Sequence, residues 1–208
     1  MDFMMIKNVV FDFGMVLVSF VPEYMVRQYV TEPEEDVELL CEVIFDRLYW
    51  DCLDEGSITD WEVLAAIKKR IPERLWSVSE TIYHNWIYNI PEIEGMRELV
   101  RYVKEKYGVK LFLLSNISRY FALHADEIPI LGLFDRCIFS AVCQKVKPNR
   151  EIFEQLCVTC DIKPEETLFI DDSEKNIRGA ENYGICGYLF DGDAERLRAY
   201  FDQKLSKQ

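Results

Sequence analysis

Four short apolar runs in this chain are followed by residues able to do chemistry. Asp12 follows Val9–Val10–Phe11, and Ser115-Asn116 follows Lys110–Leu114. Lys145 and Lys147 lie shortly after Cys137–Phe139, and Asp171-Asp172 follows Thr167–Ile170. Carboxylates are hard oxygen ligands, and Mg²⁺ takes one or two of them alongside a substrate phosphate. An Asp carboxylate is also a nucleophile that forms an aspartyl-phosphate, which water then hydrolyses. The cation offsets repulsion between that anionic nucleophile and an anionic phosphoryl group. Ser115 and Lys147 would hold the remaining phosphoryl oxygens.

Singly, each residue has a plainer role. An Asp after a strand is commonly a turn former. Ser115-Asn116 would cap a following helix, and Asp171-Asp172-Ser173 would open the helical pattern at Glu174. Lys147 before Pro148 would be a solvated loop charge. Only their order and their common place after apolar runs point to shared chemistry.

The elements that would position them follow from periodicity. The runs are short and rich in β-branched and aromatic residues, as buried strands are, and Gly187–Phe190 makes a fifth. Between them lie helical patterns. Met96, Leu99, Val100, Val103 and Tyr107 keep helical spacing up to a stop at Gly108. Arg150–Cys160, Glu174–Tyr183 and Ala194–Leu205 read likewise as helices. Alternating strands and helices of these lengths predict an α/β fold, a doubly wound parallel Rossmann-like sheet. Ligands bind such sheets beyond the carboxyl ends of the strands, where all four stretches would meet.

Residues 17–90 break the rhythm, with helical patterns and no convincing strand. One stripe is Val37, Leu40, Cys41, Ile44 and Leu48; a second starts with Trp61, Leu64, Ala65 and Lys68, capped by Thr59 or Asp60. Pro22 and Pro91 mark changes of direction near the ends. The expected division is a discontinuous core of residues 1–16 and 91–208 with a helical cap domain at 17–90 inserted after the first strand.

Composition narrows the partners. The 208 residues are half hydrophobic and carry a formal net charge of -13, which excludes disorder and disfavours nucleic acid. The same charge repels small anions at long range, so a phosphate site needs strong local positive charge, which Lys147 would supply. The opening MDFMMIKNVVFDFG lacks the pattern of a cleavable leader. No run approaches the roughly 18 apolar residues of a membrane span. With an odd seven cysteines, mostly in apolar stretches, a cytoplasmic protein with reduced thiols is expected. Cys157-Val-Thr-Cys160 has redox or metal spacing but no second pair beside it, and reads as ordinary helix-end thiols.

The ordered set resembles the haloacid dehalogenase-like hydrolase superfamily and its four motifs. FDFGMVLV resembles the first, LLSN the second, KVKPNREIF the third and LFIDDSEKNIRGA the fourth; the last two are the most specific. The helical segment sits where that superfamily inserts a small cap. The resemblance implies a Mg²⁺-dependent phosphatase acting on a small phosphorylated metabolite. Asp12 would be nucleophile and metal ligand, Gly14 would offer its carbonyl to the metal, and Asp172 would bind it directly. Ser115 and Asn116 would bind the phosphoryl group and Lys147 would neutralise it. Asp171 and Asn176 would act behind these, or through water.

One position departs from the pattern. Phosphatases of the superfamily usually carry a second aspartate two residues after the nucleophile, as general acid and base; this chain has Gly14. General acid–base help is worth about 10²–10⁴-fold. Glycine there resembles the sugar-1-phosphate phosphatase type, which reads D-x-G-x-V. Either the substrate has a leaving group that needs little protonation, or the cap supplies an acid, with Asp51, Asp54 and Glu55 before Gly56 as candidates. His84 and His124 read as packing residues. Of the aromatics Tyr49, Trp50, Trp61, Trp76, Tyr83, Trp86 and Tyr88, packing between helices accounts for most, and some could line a sugar-sized pocket. A metal-independent haloacid hydrolase is a rival reading, opposed by two adjacent acids that would repel a carboxylate substrate. A non-catalytic phosphate-binding or scaffold protein is another, opposed by Asp12, Lys147 and Asp172 together.

Overall fold

The computed structural model describes residues 5–205; residues 1–4 and 206–208, part of the expected core, lie outside the described residues. Strands β1 (Asn8–Phe11), β2 (Lys110–Ser115), β3 (Arg136–Phe139), β4 (Thr167–Asp171) and β5 (Cys186–Leu189) form one sheet in the order β3-β2-β1-β4-β5. Every pairing is parallel. Each expected strand is present within a residue or so at its ends.

Alternation within the strands builds two apolar layers. Val9, Phe11, Leu111, Leu113, Leu168 and Ile170 face one core, while Val10, Phe112, Leu114 and Phe169 face the other. Helices α1 (Pro22–Arg27), α2 (Glu34–Ile44), α3 (Arg47–Glu55), α4 (Asp60–Arg70), α5 (Trp76–Asn85) and α6 (Met96–Tyr107) separate β1 from β2. Short α7 (Arg119–Leu123) precedes β3, and α8 (Ser140–Cys143) and α9 (Arg150–Cys160) follow it. Helix α10 (Glu174–Tyr183) joins β4 to β5, and α11 (Ala194–Leu205) closes the described chain. Helices α6 and α11 cover the first face through residues such as Val100 and Phe201. Helices α9 and α10 cover the second through Phe153, Leu156 and Ile177.

The chain leaves and re-enters the core side by side. Ser19 N–H donates to the Pro91 carbonyl at 2.8 Å, and Ile93 N–H to that of Leu17 at 3.0 Å. Between these points the described structure is helical, and its apolar side chains, Met25, Leu40, Trp50 and Ile82 among them, join the core on the first sheet face.

Both helical stripes expected here need correction. The first is interrupted, because Asp46 accepts a bond from Leu48 N–H at 2.9 Å and so caps a new helix. Leu48 therefore starts α3 and is 69% exposed, while Val37, Leu40, Val43 and Ile44 carry the buried face of α2. The second lies on the wrong face. Thr59 does cap α4, in a reciprocal capping box with Glu62, but Val63 and Ile67 are buried and Trp61 is 77% exposed.

Candidate active site

At the carboxyl end of the sheet, the crossover direction reverses where β1 lies between β2 and β4, the place where open α/β sheets bind ligands. Asp12 N–H is bonded to the Ile170 carbonyl at 2.9 Å, which extends the β1–β4 ladder and fixes the direction of the Asp12 side chain. The chain then turns sharply, with Met15 at φ 58° and its N–H on the Val18 carbonyl at 2.7 Å. That turn brings Gly14 and Met15 to the rim of a cavity of about 660 Å³.

Lys147 is the hub. It is 3% exposed, with Nζ 2.8 Å from Asp12 Oδ1 and 2.7 Å from Asp171 Oδ2. Burial pulls its ammonium toward neutrality, but Asp12 and Asp171 outweigh that and hold its pKa above the usual range. Asp12 Oδ1 also accepts the Phe13 N–H at 2.7 Å, so Oδ2 is the less engaged oxygen. Burial pushes Asp12 up to about 7; Lys147 opposes the rise and Asp171 adds to it. Lys145 is not part of the site, since its Nζ donates to Gln155 Oε1 at 2.7 Å. It is thus hydrogen-bonded at the helix surface rather than simply solvated.

Asp171 is fully buried and saturated. Its Oδ1 accepts from Ser173 N–H at 2.8 Å and its Oδ2 from Lys147, while Asn176 Nδ2 lies 3.0 and 3.1 Å from the two oxygens. It binds Lys147 Nζ and is not among the residues that line the cavity. Asp172 is exposed toward the cavity, and burial of part of it, then Asp171, raise its pKa. Ser115 is 2% exposed and lines the same cavity. Asn116 lines the cavity beside Ser115, and its side-chain amide is engaged with a neighbouring backbone. Its Nδ2 donates to the Lys147 carbonyl at 3.0 Å and its Oδ1 accepts the Lys147 N–H at 2.8 Å. With both ends of the amide engaged, the side chain anchors the Lys147 backbone.

Carboxylate oxygens of Asp12, Asp171 and Asp172 lie within 4.8 Å of one another. One lysine leaves that trio with excess negative charge, and the donors are all hard oxygen, the preference of a small divalent cation. Asn176 Oδ1 is buried without a hydrogen-bond partner, a leftover acceptor suited to a water carried by such an ion. The residues therefore fit Mg²⁺, which Asp12 and Asp172 could hold, with Gly14 lining the same cavity.

The rest of the cavity comes from the helical segment. Phe20, Trp50 and Trp86 pack edge to face, with centroids 4.8 to 5.9 Å apart, and form an aromatic wall. The other expected aromatics serve elsewhere: Tyr83 donates to Asp60 at 2.8 Å, and Trp76 to the Lys68 carbonyl at 3.0 Å. His84 and His124 pack on Tyr120 and do not line the cavity. All seven cysteines are free, and burial pushes Cys157 and Cys160 each up to about 11, far from thiolate chemistry. Among the described residues no helix is long and apolar enough to cross a membrane.

A doubly wound sheet with a lysine-bridged acidic cluster at its switch point places the chain among α/β proteins whose ligand site lies at the carboxyl ends of the strands. More narrowly, the chain belongs to the haloacid dehalogenase-like hydrolase family, whose model matches residues 6–184. It is 25% identical over 188 residues to D-ribitol-5-phosphate phosphatase of Bacteroides thetaiotaomicron, covering 87% of this chain and 90% of that protein. A family hydrolase from Porphyromonas gingivalis is 26% identical, with a TM-score of 0.71 over 98% of this chain and 99% of that one. A Bacteroides thetaiotaomicron family enzyme, solved in complex with magnesium and inorganic phosphate, superposes with a TM-score of 0.67 at 22% identity, over 92% and 98% of the two chains.

Proposed function

We propose that this protein is a Mg²⁺-dependent phosphatase that hydrolyses a small phosphorylated metabolite, of the sugar or polyol phosphate class, through an aspartyl-phosphate on Asp12. The observation that carries this reading is Lys147, buried between Asp12 and Asp171 at 2.8 and 2.7 Å at the base of the cavity. An ammonium held there is placed in advance where charge develops during phosphoryl transfer. Ser115 donates its hydroxyl to a phosphoryl oxygen, and the free Asp12 oxygen attacks phosphorus. When bound by Asp12, the Gly14 carbonyl and Asp172, Mg²⁺ neutralises nucleophile and phosphoryl group alike. Residues 17–90 act as a cap whose aromatic wall meets the organic part of the substrate. The cavity falls in the size range of small-molecule sites, roughly 300–1,000 Å³, and the ribitol-phosphate relative supports a substrate of that size.

The test is Asp12→Asn. An amide cannot serve as the anionic nucleophile, so phosphate release from p-nitrophenyl phosphate and from a pentitol phosphate should vanish while the circular dichroism spectrum is kept. Retention of more than about 1% of turnover, against the 10²-fold or greater loss expected of a missing catalytic group, would remove the covalent mechanism.

A further inference from the structure

Gly14 leaves the departing oxygen with no proton donor on the loop after β1. Three carboxyl groups of α3 border the cavity: Asp51, Asp54 and Glu55. They are not equivalent. Asp51 is exposed and lies 3.2 Å from Arg47, and exposed Glu55 receives a long 3.5 Å contact from the Ser57 hydroxyl. Asp54 Oδ1, in contrast, is buried and accepts no hydrogen bond.

The position of Asp54 is built. Ser140 Oγ donates to the Asp54 carbonyl at 2.6 Å and accepts the Ile117 N–H at 2.9 Å. One hydroxyl thus ties the end of α3 to the loop that follows Ser115. Gly56 ends α3 at φ 70°, where a Cβ would come within 2.8 Å of the Ala141 carbonyl oxygen, so only glycine lets α3 dock this closely on α8. Burial, then Asp51, raises the Asp54 pKa; Arg47 opposes, Asp12 adds and Lys147 opposes, leaving it at about 7. The other charged groups bordering the cavity are Glu55, Asp172 and Lys175, and α8 itself brings no acidic or basic side chain. A carboxyl that is neutral near pH 7 is an O–H donor, which an ionised one is not.

We propose that Asp54 is the general acid and base of the reaction, supplying from the cap the proton that Gly14 cannot. The assignment rests on the phosphatase reading. In the first half, Asp12 Oδ2 forms a bond to phosphorus, the bond to the ester oxygen breaks with its electron pair on oxygen, and the Asp54 proton passes to that oxygen to give the alcohol. In the second half, the Asp54 carboxylate takes a proton from water as the water oxygen bonds to phosphorus. The Asp12–phosphorus bond then breaks, regenerating the Asp12 carboxylate and inorganic phosphate.

The test compares Asp54→Asn with the unaltered enzyme in single turnover, on a pentitol 5-phosphate and on p-nitrophenyl phosphate. A poor alkoxide leaving group needs the proton and a nitrophenolate hardly does. The alkyl ester should therefore slow by about 10²–10⁴-fold while the nitrophenolate burst stays within about tenfold of the original. An equal loss on both substrates, an unaltered alkyl rate, or the selective loss appearing in Glu55→Gln instead would overturn the assignment. Should Asp54→Asn not fold, the unaltered enzyme decides. Its burst rate with the alkyl ester should fall as pH rises through about 7 while the aryl burst does not, and identical profiles would sink the proposal. Turnover by Asp12→Asn would refute the phosphatase reading itself, an outcome separate from all of these.

Discussion

Replacing Lys147 by alanine removes the one cation, among the described residues, in contact with both Asp12 and Asp171, and its consequences can be worked from the geometry. At about 2.8 Å and an effective dielectric of about 20, each contact is worth roughly 6 kcal/mol of Coulomb attraction before desolvation. Burying the three charges offsets much of that sum, and breaking such an arrangement by removing one partner typically costs about 3–5 kcal/mol. Lys147→Ala should therefore lose that much stability in chelator, a fall in Tm of roughly 6–20 °C for a chain of this size. Kinetically it should lose about 10²–10³-fold in kcat, the usual cost of deleting one preorganised charge-stabilising donor. Lys145→Ala removes one hydrogen bond to Gln155 and should cost about 0.5–1.5 kcal/mol with near-normal turnover. Urea denaturation with and without EDTA, together with initial rates, measures both. Equal kinetic losses in the two variants, or a Lys147→Ala midpoint within about 1 kcal/mol of the original, would refute the placement of Lys147 as the site's charge hub.

Two further outcomes follow from the acidic groups. Turnover should stop in chelator and return with Mg²⁺, and Asp172→Ala should raise the Mg²⁺ concentration for half-activity at least about tenfold, because Mg²⁺ keeps few protein ligands; full activity in excess EDTA would refute the metal reading. Stability should also report Asp54. Its folded pKa, about 7, lies above the ordinary 3.8, so its contribution is complete below pH about 4 and is lost as pH rises toward 7. In chelator the urea midpoint should fall across that window, and Asp54→Asn should flatten the fall; an unchanged slope would place Asp54 in water.

How much of this was legible in the sequence depended on what each residue faces. Strands β1, β2 and β4 could be read because strands buried on both faces keep continuous apolar runs, and the half-exposed edge strands β3 and β5 kept shorter ones. Asp12 and Asp171 stood out because runs end at them, and Lys147 because it lies shortly after the third run. Among the helices of residues 17–90, periodicity was ambiguous. Asp46 signalled a new helix in the middle of an apparent stripe, and Val63 with Ile67 competed with Trp61 and Leu64 for the inner face of α4. The anchoring bonds of Asn116 could not be read, because a polar residue at a strand end serves equally as a ligand for substrate or as an anchor for a neighbouring backbone. Asp51, Asp54 and Glu55 were indistinguishable as letters. Only the docking of α3 through Ser140 and Gly56 buries an oxygen of Asp54 and leaves its two neighbours exposed.

That burial bears on how so acidic a protein admits an anion. The formal charge of -13 acts over a screening length of about 8 Å at physiological salt, so entry is decided by the groups inside the cavity. Around Lys147 itself, the carboxylates of Asp12, Asp171 and Asp172 outnumber the one ammonium, a surplus that a bound divalent cation would offset. An ionised carboxylate at Asp54, added to Asp51, Glu55 and Asp172 on the cavity wall, would raise the repulsion beside the incoming phosphate. Burial holds the Asp54 pKa at about 7, so near neutral pH the same desolvation lessens a repulsion in the path of the substrate and retains a proton for the departing oxygen. An aspartate on the loop after β1 would achieve the second effect from beside the metal ligands. Here both are assigned to a residue whose burial depends on the cap being seated against α8.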